Sequence, residues 1–246
     1  MGKKLEIKIH DGPGRGGKLE GIITPNIIDE NLFKIAPDVS SAYDVQKEIA
    51  IWSVEKTKTL AKENIDNCDI AVVHGSKYID LRIEMAKELE EIGYSGFLIA
   101  NGDELILHPQ NLVDLIVGLR EELNPNSYLI FPFPEPSFIP ILCYMGIDGF
   151  LHGIEEYYSY LNVLLTPTKN YDLNQYKLFD ISHEELLNRN LETVDFVLNE
   201  VRTHIENGTL RNLVEERSLT SPQNITALKL LDKNHQEYLQ KYTQLY

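Results

Sequence analysis

Apolar residues recur along this chain in two alternating patterns. Asp69–Gly75 is a short apolar run that ends in a turn, the signature of a buried strand. Leu81, Met85, Leu89 and Ile92 then mark one face of a helix. Gly96–Asn101 is a second strand, followed by a 3.6-residue stripe of Leu112, Leu115, Ile116, Leu119 and Leu123. Tyr128–Phe133 is a third, before a helix opened by Pro136, and Gly149–His152 is a short fourth. Earlier, Leu32–Ala36 precedes a helix carrying Val45, Ile49, Trp52 and Leu60. Strands that alternate with helices in this way predict parallel pairing, in a barrel or a doubly wound sheet.

The two ends depart from that rhythm. Leu5–His10 and Leu19–Thr24 read as strands joined by the glycine-rich segment 12–17, a hairpin-like cap. From Ser182 onward the chain is helical, with Leu187, Leu191, Val194, Leu198, Val201 and Ile205 stepping by four and three. That spacing suits a helix lying along its own domain, or a short coiled-coil seam. Pro222 begins a last helical stretch in which Ile225, Leu228 and Leu239 can face inward. The expectation is one domain over 1–246: a cap over 1–30, a barrel core over 31–165 and a helical tail over 182–246.

Composition narrows the class. The apolar and charged fractions, 43% and 25%, are those of a soluble globular chain, and no run approaches a membrane span. The alternating N-terminal residues read as a strand and not as a signal peptide, so the cytoplasm is the expected compartment. With two cysteines, Cys68 and Cys143, and no Cys-x-x-Cys pair, a thiolate zinc site is not expected. The net charge of −15 argues against this chain gripping nucleic acid unaided, because backbone affinity comes from Lys and Arg. The plainer reading beside this one is that the acidity serves solubility alone.

In parallel α/β barrels the site lies at the carboxyl ends of the strands. The residues just past the strand ends here are Pro37 and Asp38; His74, Gly75 and Ser76; Asn101 and Asp103; Phe131, Phe133 and Glu135; and His152, with Asp148 one residue ahead of its strand. Each has a plainer reading beside the functional one. Asp38 can cap the next helix, His74 and His152 can be structural, Asp103 can be a turn residue, and both phenylalanines can be core. Gly12, Gly14 and Gly17 satisfy G-x-G-x-x-G, but a strand comes next where a helix is needed, so no dinucleotide site is expected.

Several segments resemble one known family in order and spacing. Asp11–Leu19 with Thr24–Ile27 is similar to the opening hairpin of the tRNA-guanine transglycosylase superfamily. His74-Gly-Ser-Lys-Tyr-Ile-Asp-Leu-Arg82, leading through 91–100, resembles its base-pocket strands. The stretch from Pro136 to Asp148, then Leu164–Pro167 and Val201–Arg217, resembles its later parts. The resemblance implies a TIM-barrel-like (β/α)n fold with an N-terminal hairpin cap and a helical C-terminal tail. It also implies that Asp38 and His74 to Ser76 contact a deazaguanine edge, that Phe131 packs on the base, and that Asn101 replaces a glycine.

The departures carry as much information. Leu151 stands where these transglycosylases carry the aspartate that attacks ribose. The cysteine-rich zinc segment should fall near 171–179 and is absent, so no metal or other cofactor is implied. A serine-glycine-glycine strand is missing between Ile28 and Phe33, which implies a reduced strand count. Base exchange is therefore not expected.

The phrase Leu142-Cys-Tyr-Met-Gly-Ile-Asp148 and Leu230-Leu-Asp232 resemble the archaeosine synthase branch. That branch adds free L-lysine to the nitrile of 7-cyano-7-deazaguanine already in archaeal tRNA. On this resemblance Asp148, His152 and Glu135 are the catalytic candidates. Asp38, His74, Gly75, Ser76, Asn101, Asp103, Phe131 and Phe133 line the substrate. The expected partners are the modified tRNA, lysine, a separate subunit with a PUA or other RNA-binding domain, and a radical SAM enzyme that acts next. The alternative is a catalytically inactive transglycosylase-like subunit that binds a partner protein or tRNA.

Overall fold

A computed structural model describes residues 3–177 and 180–242. The alternation read from the sequence is present as strands β5 (Ile70–Val73), β6 (Gly96–Ile99), β7 (Tyr128–Phe131) and β8 (Gly149–Phe150), with β4 (Asn26–Ile27) ahead of them. They form one parallel five-stranded sheet in the order β4-β8-β7-β6-β5, making the chain an α/β protein of TIM-barrel-like type. Leu32–Ala36 contributes only an isolated parallel bridge, Ile35 to Ile70, beside β5. The stretch from Ile28 to Phe33, where a strand is missing, spans between the sheet's two edges, so the strand count is below that of a full barrel.

Strand parity divides the core in two. Ala71, Val73, Phe97, Ile99, Leu129, Phe131 and Phe150 face outward and pack under the helices. Ile70, Tyr128 and Ile130 face inward, against Ile28, Phe33 and Leu151, and Leu5 and Leu19 of the cap close this inner cluster. Both sheet faces are thus apolar, which is why the strands read as unbroken apolar runs.

The cap is a three-stranded antiparallel sheet of β1 (Glu6–Asp11), β2 (Gly14–Leu19) and β3 (Ile22–Thr24). The glycine-rich segment is therefore not the hairpin loop expected from the sequence but the central strand. Glycine is needed there for contact: a Cβ on Gly14 would lie 2.4 Å from Leu210, and one on Gly17 2.4 Å from the Glu6 carbonyl oxygen.

The helices α1 (Lys47–Glu63), α2 (Ile79–Ile92), α3 (Gly102–Leu107), α4 (Pro109–Glu122), α5 (Ile139–Met145) and α6 (Ile154–Tyr160) connect the strands. In α1 the buried face is Ala50, Ser53, Val54, Thr57 and Ala61, leaving the expected inward residues Ile49 and Trp52 exposed. After α6 a short ribbon, β9 (Val163–Leu164) and β10 (Tyr171–Asp172), leads to the single turn α7 (Leu173–Tyr176). The expected zinc-segment position, 171–179, lies partly outside the described residues. Among those described, no cluster of His, Cys, Asp or Glu is arranged to hold a metal ion.

The tail is α8 (His183–Asn207), α9 (Leu210–Ser218), α10 (Pro222–Asn234) and α11 (Gln236–Lys241). A Ser182–Glu185 capping box starts α8, and Gly208 in the left-handed region ends it. Val194, Val197, Leu198, Val201 and Ile205 are buried against the domain, so α8 lies along the fold and not in a coiled-coil seam. Among the described residues no helix is long and apolar enough to cross a membrane.

Candidate functional site

The carboxyl ends of the strands open into a cleft of about 1070 Å³. Its floor continues the inward face of the sheet through Ile35, Val72, Leu98 and Leu151. Its walls carry Glu30, Asp38, Asp103 and Glu135, and no lysine or arginine among the described residues lines it. Like charges held together in this way favour a cationic ligand.

Asp38 and His74 meet directly. The imidazole Nε2 donates to the Asp38 carboxylate at 2.6 Å, leaving Nδ1 as a buried atom with no partner among the described residues. Burial lowers the His74 pKa below the usual histidine value and outweighs the opposing pull of Asp38. The ring is thus neutral near pH 7.

Three successive strand ends are held in the left-handed region without glycine: Ser76 after β5 (φ 53°), Asn101 after β6 (φ 55°) and Phe133 after β7 (φ 47°). Non-glycine residues in that conformation cost of order 1–3 kcal/mol each and cluster at ligand sites. At Phe133 the consequence is visible. Phe131 is fully buried beneath the helices, whereas the turn swings Phe133 out over the cleft, about half exposed. Its ring lies on Gly153, where a Cβ would stand 2.7 Å away.

The loop after β5 and the end of β6 are tied together by Arg82, a residue not singled out by sequence reasoning. It is fully buried. Its Nε donates to the Ser76 carbonyl (2.7 Å), Nη1 to the carbonyls of Val73 (3.3 Å) and Ala100 (2.9 Å), and Nη2 to Asn101 Oδ1 (2.9 Å). Burial pushes its pKa down to about 10, which still leaves it charged near neutrality. Gly75 makes the approach possible, since a Cβ there would lie 2.6 Å from Arg82 Cγ. The available signal was a charge on the stripe Arg82, Met85, Ala86 and Leu89, the buried face of α2.

The opposite wall is built by α6. Tyr158, which also had no sequence signal, donates its hydroxyl to Glu135. Burial, then the Glu135 carboxylate, raise the Tyr158 pKa, so the phenol stays protonated as a donor. His152 lies beside the cleft, more than half exposed, with Nδ1 3.0 Å from the buried Glu155 carboxylate.

The structure brings Asp38, His74, Asn101, Asp103, Phe133 and Glu135 to one cleft. It places the other candidates elsewhere. Phe131 is turned away by strand parity. Gly75 and Ser76 support the cleft from behind, with Ser76 Oγ 3.0 Å from Ser41 Oγ. His152 is an edge residue.

Asp148 requires a correction. It sits at the amino end of β8, fully buried, and takes Arg15 Nε at 2.6 Å, Arg15 Nη2 at 2.9 Å, the Leu129 amide at 2.8 Å and Arg120 Nη2. Burial alone would raise its pKa, but Arg120 and Arg15 outweigh it and hold the carboxyl below its usual range. With four donors on its two oxygens, full burial and no place among the residues lining the cleft, Asp148 fastens the cap to the sheet.

The chain matches no protein-family model. Curated proteins similar to it include the archaeosine synthase of Methanocaldococcus jannaschii, 32% identical over 151 residues, covering 61% of this chain and 24% of that protein. The archaeosine synthase subunit alpha of Thermococcus kodakarensis is 24% identical over 261 residues, covering 97% and 43%. The tRNA-guanine(15) transglycosylase of Pyrococcus furiosus is 27% identical over 261 residues, covering 93% and 44%. The chain therefore spans less than half the length of these relatives.

Proposed function

The chain is a member of the superfamily that holds the archaeosine synthases and the tRNA-guanine transglycosylases, and on that premise we propose that it acts in tRNA modification, joining free lysine to the nitrile of 7-cyano-7-deazaguanine without exchanging the base. One observation carries the reading. Among the described residues the cleft gathers four carboxylates and no lysine or arginine, while the position expected to supply the attacking aspartate is Leu151, an apolar residue in the cleft floor. Such a cleft attracts an amine and lacks the group that opens a glycosidic bond from that position.

The chemistry balances without a cofactor. A lysine side-chain ammonium, with a pKa of about 10.4, must shed a proton before it can attack. The freed nitrogen bonds to the nitrile carbon, one carbon–nitrogen π bond becomes an N–H bond, and the amine's second proton passes to the nitrile nitrogen. The product is an amidine. Glu135, with one side fixed by Tyr158, and Asp103 hold the ammonium. Asp38, its carboxylate oriented by His74, offers acceptor oxygens to the N–H groups of the heterocycle edge, and Phe133 covers the ring. His152, beside the mouth, is the residue through which a proton would leave.

The charge of −15 means that a basic partner supplies much of the grip on tRNA. A separate subunit with a PUA or similar RNA-binding domain fits that role, and a radical SAM enzyme fits the next step on the amidine.

The test is mass analysis of tRNA carrying 7-cyano-7-deazaguanine after incubation with the protein, lysine and such a subunit. The expected result is a gain of one lysine mass, lost in Glu135→Gln. Binding of tRNA or partner with no lysine gained by the wild type favours an inactive binding subunit.

A further inference from the structure

The terminal amide of Asn101 has no freedom to flip. Arginine side chains only donate hydrogen bonds, so the atom facing Arg82 Nη2 at 2.9 Å must be Oδ1. A backbone carbonyl only accepts, so the atom facing the Ser41 oxygen at 3.1 Å must be Nδ2. Asn101, held in the left-handed region, is one of the residues that line the cleft. Nδ2 carries two protons, and the Ser41 carbonyl takes one. Among the described residues nothing accepts the other. The cleft wall therefore offers a neutral N–H donor at this point, amid carboxylates that only accept.

We propose that Asn101 donates this hydrogen bond to the nitrile nitrogen of the modified base, and that Arg82 is the positioning residue that keeps the donor outward. The inference rests on the function proposed above and deepens it. A nitrile nitrogen only accepts, so it matches the donor, and the match strengthens as negative charge develops on that nitrogen during amine attack. Asn101 gives up no proton: the proton that ends on the nitrile nitrogen comes from the amine. The amidinium product carries only donors at this position, so the contact that holds the reactant is lost in the product, which favours release.

The experiment uses the full chain and two free bases, 7-cyano-7-deazaguanine and 7-deazaguanine. Wild type is expected to prefer the cyano base by roughly tenfold, the scale of one hydrogen bond. Asn101→Asp keeps an oxygen for Arg82, gives up the bond to the Ser41 carbonyl and turns the donor position into an acceptor. The readout is therefore the ratio of the two affinities within the variant, and the cyano preference should be lost. In lysine transfer, kcat should fall while KM for lysine holds. Arg82→Lys, which cannot make the same fork of bonds, should lose the cyano preference while keeping affinity for 7-deazaguanine, whereas a merely structural role would weaken both equally. If Arg82→Lys does not fold, Asn101→Asp decides. A wild type with no cyano preference, or an Asn101→Asp protein that keeps it, overturns the proposal. A protein that shows the preference and its loss but transfers no lysine overturns the reaction and leaves the donor standing.

Discussion

Carboxylates occupy both ends of the parallel sheet, and their surroundings could hardly differ more. At the amino end, Asp148 is fully buried between two guanidiniums and an amide. At the carboxyl end, Glu30, Asp38, Asp103 and Glu135 surround an open cleft with no cation among the described lining residues. The first arrangement satisfies a charge and fastens the cap (Arg15) and α4 (Arg120) to β8. The second leaves charge unsatisfied where a ligand can reach it. A carboxylate near a strand end is therefore not informative by itself; which end it occupies, and who already holds it, decide its work.

The contrast can be broken most forcefully at Asp148. Asp148→Asn should lower unfolding free energy by roughly 3–5 kcal/mol, because two buried arginines lose their counterion. Urea unfolding reads this directly, and near-wild-type stability would end the structural assignment. Next in size, Glu135→Gln should cut lysine transfer by about 10²-fold or more while shifting stability by less than about 1 kcal/mol. A fall in stability matching that of Asp148→Asn would erase the difference between the two ends. Phe133→Ala should weaken binding of the 7-deazaguanine base by roughly tenfold, through lost stacking, with little change in melting temperature.

The smallest effect separates the ends by pH. The folded His74 pKa is lowered, so its contribution to stability is complete above the ordinary histidine pKa of about 6.5 and declines as pH falls below it. Asp148 is also lowered, so its contribution is complete above the ordinary carboxylate pKa of about 3.9 and is lost only as pH falls through its depressed folded value. His74→Asn should flatten the stability profile just below pH 6.5 and leave the strongly acid limb unchanged. Loss of that limb in His74→Asn would contradict the separation.

Much of the site was legible in the chain because strand ends are legible. Apolar runs that stop at a turn fix where the sheet ends, and Asp38, His74, Asn101, Asp103 and Glu135 follow from that. The errors arose where one residue's backbone angle overrides a pattern. Phe131 and Phe133 share parity on paper, but the left-handed turn at Phe133 sends one into the core and the other over the cleft. Asp148 stands a single residue before β8, and only its pairing with Arg15, 133 positions away, reveals which end it serves. Tyr158 had no signal because its contact with Glu135 bridges two segments separated by 23 positions.

Local order alone determined the alternation of strands and helices, the acidity, the left-over leucine at position 151 and the set of polar residues at the strand ends. These depend on periodicity and residue type, which are properties of neighbours in the chain. Tertiary structure alone decided that the glycine run is a central strand, that Arg82 clips two strand ends together, that Ile49 and Trp52 face out, and that Asp148 is sealed away. Each of those outcomes depends on a distance between residues remote in sequence, and such distances exist only once the chain has closed on itself.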